Sequence, residues 1–240
     1  MKQKSKQAKN TRMKHPELYA HEETNIREII FGAEDGFVST LGLILGMATA
    51  TNDSRIVIIA GIVYVIAEAF SMAAGTYLST KAQKEFYMSE LEKERNEIRN
   101  TPGEEEDEVR ELYWNKGFRG RFLEKIVSKI TSRKDLWLKV MLEEELKVFP
   151  ETVDPVKNSI AMFFASIVAG SVPVIPFLFI APAPAAAASI FVTLAALFIT
   201  GAVKALYVQL DWKRSGAEML VVGAFAAAIG YVVGLLTGTL

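Results

Sequence analysis

Three stretches of this chain run without a single charged residue: Ile160–Ala181, Pro184–Val203 and Met219–Leu240. Each is at least 20 residues long, and a helix crossing the bilayer hydrocarbon needs roughly 20 mostly apolar residues. The pattern therefore predicts three spanning helices in succession. Ile29–Ala50 and Ile56–Ser79 read the same way, interrupted only by Glu34, Asp35 and Glu68. Both are rich in Gly, Ala and Ser, which let helix backbones approach closely in lipid. The expected fold is all-α: a polytopic membrane protein with five transmembrane helices and a helical insert between the second and third.

That insert, Lys81–Pro155, is where the polar residues collect. Three helices are expected in it. The first continues the second span through Lys81–Asn100 and stops at Thr101-Pro102-Gly103, because Pro and Gly are breakers. The second covers about Glu104–Lys116, and the third about Leu136–Phe149, closed by Pro150. Phe118–Ile130 is a further candidate for a short helix. The chain thus divides into a basic arm (1–24), spans one and two (25–80), the insert (81–155) and spans three to five (156–240). Ala181–Pro184 should be a tight turn, since Pro disfavours helix in the residue before it. Pro173 and Pro176 should kink the third span.

Charge fixes an expected orientation. The arm carries Lys2, Lys4, Lys6, Lys9, Arg12 and Lys14, and basic loops stay on the cytosolic side. With the arm and insert cytosolic, the outer loops hold one basic residue, Arg55, and the C-terminus lies outside. The N-terminus shows no apolar core with a small-residue cleavage site, so no cleaved signal peptide is expected. The cell membrane and a vacuole-like membrane both remain open.

Composition narrows the chemistry. The chain has no cysteine, which removes disulfides and thiolate metal sites. No Gly-rich phosphate loop followed by Lys and Ser or Thr is present, so the chain offers no ATP-driven pumping. No Ser/His/Asp arrangement is recognisable, and no enzymatic activity is expected. His15 and His21 do not make a site. Lys116, Arg119, Arg121 and Lys125 read as membrane-surface contacts rather than a nucleic-acid interface.

Carboxylates carry the remaining signal. Between Glu85 and Glu111 stand eleven acids against four bases. Glu90, Glu94 and Glu97 recur at i, i+4, i+7 on one helix face. Glu105 and Glu108 form an i, i+3 pair beyond the turn. A hairpin at Pro102-Gly103 would face Glu94 and Glu97 toward Glu105 and Glu108. Like charges at helical spacing repel, so convergence is stable only around cations; helix-borne Glu pairs build carboxylate metal sites in bundles. The alternative is a solvated, charged helix face. Met141 and Glu145, at i, i+4, add a thioether beside a carboxylate, which suits a transition metal better than Mg²⁺ or Ca²⁺. The alternative for Met141 is packing in the insert's core.

Inside the spans, Asp35 and Glu68 are costly: a charged side chain at bilayer centre costs at least ~2.5–3.5 kcal/mol. Met72 follows Glu68 by one turn. This set suggests a cation path whose carboxylates exchange metal for protons. The alternative is a structural ion pair, for example with Lys204. Glu34 and Glu218, nearer the interface, are weaker candidates.

Four stretches resemble the vacuolar iron transporter family with its nodulin-like relatives: Asp35–Gly42 (DGFVSTLG), Ala69–Gly75 (AFSMAAG), Gly170–Pro176 (GSVPVIP) and Ser215–Leu220 (SGAEML) followed by Gly223, Ala226, Ala227, Tyr231 and Gly234. The resemblance implies a homodimer of five-span protomers with the pathway between the first and second spans. It implies Fe²⁺ moved out of the cytosol against protons, with Mn²⁺, Zn²⁺ or Co²⁺ as related cargo and no prosthetic group. It implies Asp35 and Met72 as pathway residues, and Glu94, Glu97, Glu105, Glu108, Met141 and Glu145 as metal ligands of the insert. The chain departs from the family's pattern at Gly75-Thr76-Tyr77, where many members have Gly-Glu-Tyr. A membrane-anchored metal buffer and a passive cation channel are the competing readings.

Overall fold

The computed structural model describes residues 23–147 and 154–238. The basic arm with His15 and His21, and the Phe149–Pro150 end expected for the third insert helix, lie outside the described residues. Among the described residues the chain is helical and has no strand. The described residues form two compact units, one of residues up to 76 together with those from 156 onward, and one of residues between 77 and 155.

Among the described residues, five helices are long and apolar enough to cross a membrane. α1 spans Glu23–Thr51, α2 Ser54–Asn100, α6 Pro155–Val174, α7 Pro182–Tyr207 and α8 Trp212–Gly238. The α1–α2 turn is tight because Asn52 adopts a left-handed φ of 48°, a conformation that Asn tolerates, while Asp53 Oδ1 accepts the Arg55 amide at 2.8 Å. α2 is 47 residues long. At 1.5 Å per residue it runs about 70 Å, over twice a hydrocarbon core of about 30 Å. Its charge-bearing half beyond Ser79 therefore lies outside the spanning segment.

The spanning helices are apolar outward as well as inward. Phe70, Phe179, Phe191 and Phe225 are all more than 60% exposed, a surface suited to lipid rather than water. With no hydrophobic gain between helices in lipid, close packing takes over. Gly42 and Gly46 of α1 meet Gly230 and Gly234 of α8. A Cβ on Gly230 would stand 2.1 Å from the Gly42 carbonyl oxygen, and one on Gly234 2.5 Å from that of Gly46. Only glycine permits this approach.

Proline shapes the chain at two places. Pro173 sits inside α6 without ending it. Ser189 of α7 donates to the Pro173 carbonyl at 2.8 Å, and the helix passes into a 3₁₀ turn at Ile175–Leu178. At Thr101-Pro102-Gly103 the helix stops as expected, α2 ending at Asn100, and Pro102 also starts the next one. Thr101 leaves the helical region, and α3 (Pro102–Asn115) opens with Pro in its first turn, where the missing N–H costs nothing. The expected breaker Gly103 is helical.

The second unit holds the end of α2, α3, α4 (Gly120–Thr131) and α5 (Lys134–Val140). The Phe118–Ile130 candidate is a full helix, α4, so the insert has more than the three helices expected. α4 turns Leu123, Val127 and Ile130 inward at i, i+4, i+7. These pack with Ile98, Val109, Trp137 and Met141. The expected third helix is α5, which widens at Met141–Glu145 into a π-turn, closed by a bond from the Leu146 amide to the Met141 carbonyl at 3.1 Å.

Candidate functional site: two carboxylate clusters

In the spanning unit, α1 presents Asp35 and α2 presents Glu68, and Ser39 joins them. Ser39 lies one turn beyond Asp35. Its hydroxyl donates to the Asp35 carbonyl and contacts Glu68 Oε1. The Asp35 carboxyl acts directly on Glu68 as its acidic neighbour. Asp35, Glu68 and Met72 are all half-buried. Among the described residues no basic side chain pairs with Asp35 or Glu68, so the alternative of a Glu68–Lys204 ion pair is not realised. The Ser39 hydroxyl ties the Glu68 carboxyl to the Asp35 main chain, and the two acids, with no counter-cation among the described residues, form a polar patch that a metal ion or protons can neutralise.

Two residues escaped the sequence reading. Ser39 carries no charge, and its role needs the α1–α2 pairing to be known. Glu28 is 8% exposed and its Oε2 has no hydrogen-bond partner among the described residues. It precedes Asp35 by seven residues, on the same α1 stripe, and that spacing was the available signal.

The insert builds a different cluster. Glu94 and Glu105 are buried, at 4% and 5% exposure, while Glu97 and Glu90 are half-buried and Glu108 and Glu145 exposed. The hairpin of α2 and α3 brings Glu94 and Glu105 together as interacting neighbours. Burial, then the Glu105 contact and the charges of Glu105, Glu145 and Glu97, push Glu94 up to about 8. Burial raises Glu105 as well, with the Glu94 contact opposing. Loss of water, then Glu108, Glu105 and Glu97, raise Glu145, with Lys93 opposing.

Convergence is narrower than the spacing suggested. Among the described residues no three of these carboxylates, or of any acidic or imidazole groups, are close enough to hold one ion between them. Glu97, Glu108 and Glu145 act on the pair through charge rather than contact. Yet Glu94 Oε1 and Glu105 Oε2 are buried without a hydrogen-bond partner among the described residues. Unpaired buried oxygens are expensive, and these two fit a cation as a third partner. Met141 is fully buried and packs with the insert's core, the alternative that the sequence left open. It also begins the π-turn, a feature that recurs at functional sites.

The VIT family model matches residues 26–235. The chain is 31% identical over 226 residues to a Tulipa gesneriana protein named vacuolar iron transporter 1, covering 93% of this chain and 92% of the other. It is 33% identical over 210 residues to the Eucalyptus grandis protein of the same name, at 86% and 84% coverage. A Plasmodium berghei vacuolar iron transporter is 29% identical over 237 residues, at 94% and 87%.

Proposed function

This chain belongs to the VIT family, and from that premise we propose that it is a proton-coupled antiporter exporting a divalent transition metal from the cytosol, Fe²⁺ before Mn²⁺. The observation that carries the proposal is the Asp35–Ser39–Glu68 patch. Acids in a spanning segment are costly, and these have no basic partner among the described residues to offset the cost. A carboxylate that binds either a metal ion or a proton serves both cargoes.

The insert acts first. In the cytosol Glu94 and Glu105 take the metal on their unpaired oxygens, and Glu94 releases its proton as it does so. Glu97, Glu108, Glu145 and Met141 complete the ligand set as α3 and the π-turn adjust. The ion then passes to Asp35, Glu68 and Met72, and protons from the far side displace it. Two copies pair across α1 and α2. Support for the pairing comes from the half-burial of Asp35, Glu68 and Met72 in a single protomer, which leaves their open side for a partner. The basic arm and the insert face the cytosol, by the distribution of Lys and Arg.

Sealed proteoliposomes loaded with a pH-sensitive dye test this reading. Adding Fe²⁺ or Mn²⁺ outside should move protons in the opposite direction to the metal. Metal entry without a pH change would indicate a passive channel, and metal bound without entry a buffer; either defeats the antiport reading.

A further inference from the structure

Beyond the carboxylate clusters, the insert carries a groove between α2 and α5 that the transport reading does not use. One part, about 210 Å³, is lined by Arg95, Ile98, Arg99, Lys134, Asp135 and Leu138. An adjoining part, about 360 Å³, shares Asp135 and Leu138 and continues over Tyr87, Leu91 and Leu142, rimmed by Lys139 and Glu143. The lining follows helical spacing: Tyr87, Leu91, Arg95 and Arg99 are four apart along α2, and Lys134, Leu138 and Leu142 along α5 and its π-turn. The groove is thus polarised, basic at one end and apolar at the other.

Charge decides what fits. The smaller part has three cations against one acid, Asp135. Arg99 and Lys134 have no acidic partner among the described residues. Arg95 pairs with Glu92 at 2.9 Å, both about half-exposed, and an exposed pair is weak enough to exchange. At the apolar end Lys139 is paired with Glu143 at 3.7 Å. An excess of two positive charges matches a dianion, and two guanidinium groups with one ammonium offer the forked and point donors that hold phosphate oxygens. The Leu91, Leu138 and Leu142 side chains offer nothing to a bare ion but do contact an apolar body.

We propose that this groove binds a soluble phosphate monoester, the phosphate at Arg95, Arg99 and Lys134 and an apolar group along Leu91, Leu138 and Leu142. The ligand ties α2 to α5. α2 carries Glu94 and Glu97, and α5 leads directly into Met141–Glu145, so occupancy steadies the elements that carry the metal ligands. The binding itself does not rest on the transport reading; its effect on metal capture does.

The test uses the full chain in phosphatidylcholine nanodiscs, stripped of metal with EDTA, titrated with hexyl phosphate and separately with inorganic phosphate. Thermal unfolding of the insert and Trp137 fluorescence are followed. Hexyl phosphate should bind saturably and about tenfold or more tightly than inorganic phosphate, because each methylene placed against apolar surface adds affinity. Arg99→Gln with Lys134→Gln should abolish both responses, while Leu91→Ser should weaken hexyl phosphate and leave inorganic phosphate unchanged. These are exposed or groove-lining positions, and unchanged unfolding of the ligand-free variants confirms their fold. An equal response in the Arg99/Lys134 variant, no saturation, or equal affinity for the two phosphates overturns the proposal. So does a response that appears only when phosphatidic acid is added to the discs, which would assign the groove to a membrane lipid. Metal affinity measured afterwards with Mn²⁺ should rise several-fold with hexyl phosphate; no rise, with binding intact, would remove the coupling and leave the site.

Discussion

The spans and the insert both hold pairs of acids, and they hold them by opposite means. Asp35 and Glu68 stand in helices that are otherwise apolar, bridged by a neutral hydroxyl. Glu94 and Glu105 stand among many acids and are set apart by burial, with Glu94 Oε1 and Glu105 Oε2 lacking a hydrogen-bond partner among the described residues. A pair of the first kind suits passage, since nothing but a transient cation or proton neutralises it. A pair of the second kind suits capture, because burial favours the protonated form of Glu94 and a cation can take the proton's place.

Substitutions separate the two roles. The largest effect is expected at Asp35: Asp35→Asn should abolish metal flux in proteoliposomes while Mn²⁺ binding to the insert persists. Glu105→Ala should do the reverse, lowering Mn²⁺ affinity by at least about tenfold, the scale seen when a metal site loses a supporting group, with residual flux at saturating metal. If Asp35→Asn also lost the binding, the two clusters would be one site and the comparison would fail.

Acidity sharpens the contrast next. With Glu94 pushed up to about 8, metal competes with its proton throughout the neutral range. Apparent Mn²⁺ affinity of the insert should rise by about tenfold per pH unit between pH 6 and 8, one proton being released per ion. Glu94→Gln should flatten that slope, a result that calorimetry in buffers of different ionisation heat can check.

The same shift has a stability consequence of smaller size. An acid whose folded pKa is raised stabilises the fold fully below its ordinary value of 4.5 and loses that contribution as pH climbs toward about 8. The metal-free insert should therefore soften between those limits. Glu94→Gln should restore roughly 1–2 kcal/mol at pH 8, a discounted figure because exposed acids nearby are screened by water, visible as a rise of several degrees in melting temperature. Unchanged melting would remove Glu94 as the strained member of the pair.

Much of the fold was legible because hydrocarbon imposes a coarse rule. Five spans, the extension of α2 through Asn100 and the small-residue packing of Gly42 and Gly46 on Gly230 and Gly234 follow from apolar length and residue size. Asp35 and Glu68 were legible for the same reason, as charges where charge is costly. The insert was harder. Pro102-Gly103 signals both a stop and a start, and both occur there. α4 was an uncertain candidate although its apolar residues repeat at helical spacing. Among eleven acids, spacing selected Glu94 and Glu105 but ranked them with Glu97 and Glu108; burial alone distinguishes the pair. The π-turn at Met141 depends on a single i→i+5 bond, which no residue pattern announces.

The central claim is that metal moves because acids in the spans exchange it for protons. Fe²⁺ uptake into proteoliposomes, acidic inside and then with the gradient collapsed, tests it most directly, with wild type and Asp35→Asn measured side by side. Uptake by the wild type that follows the gradient, and none by the variant, is the predicted result. Gradient-driven uptake at the wild-type rate in Asp35→Asn would contradict it.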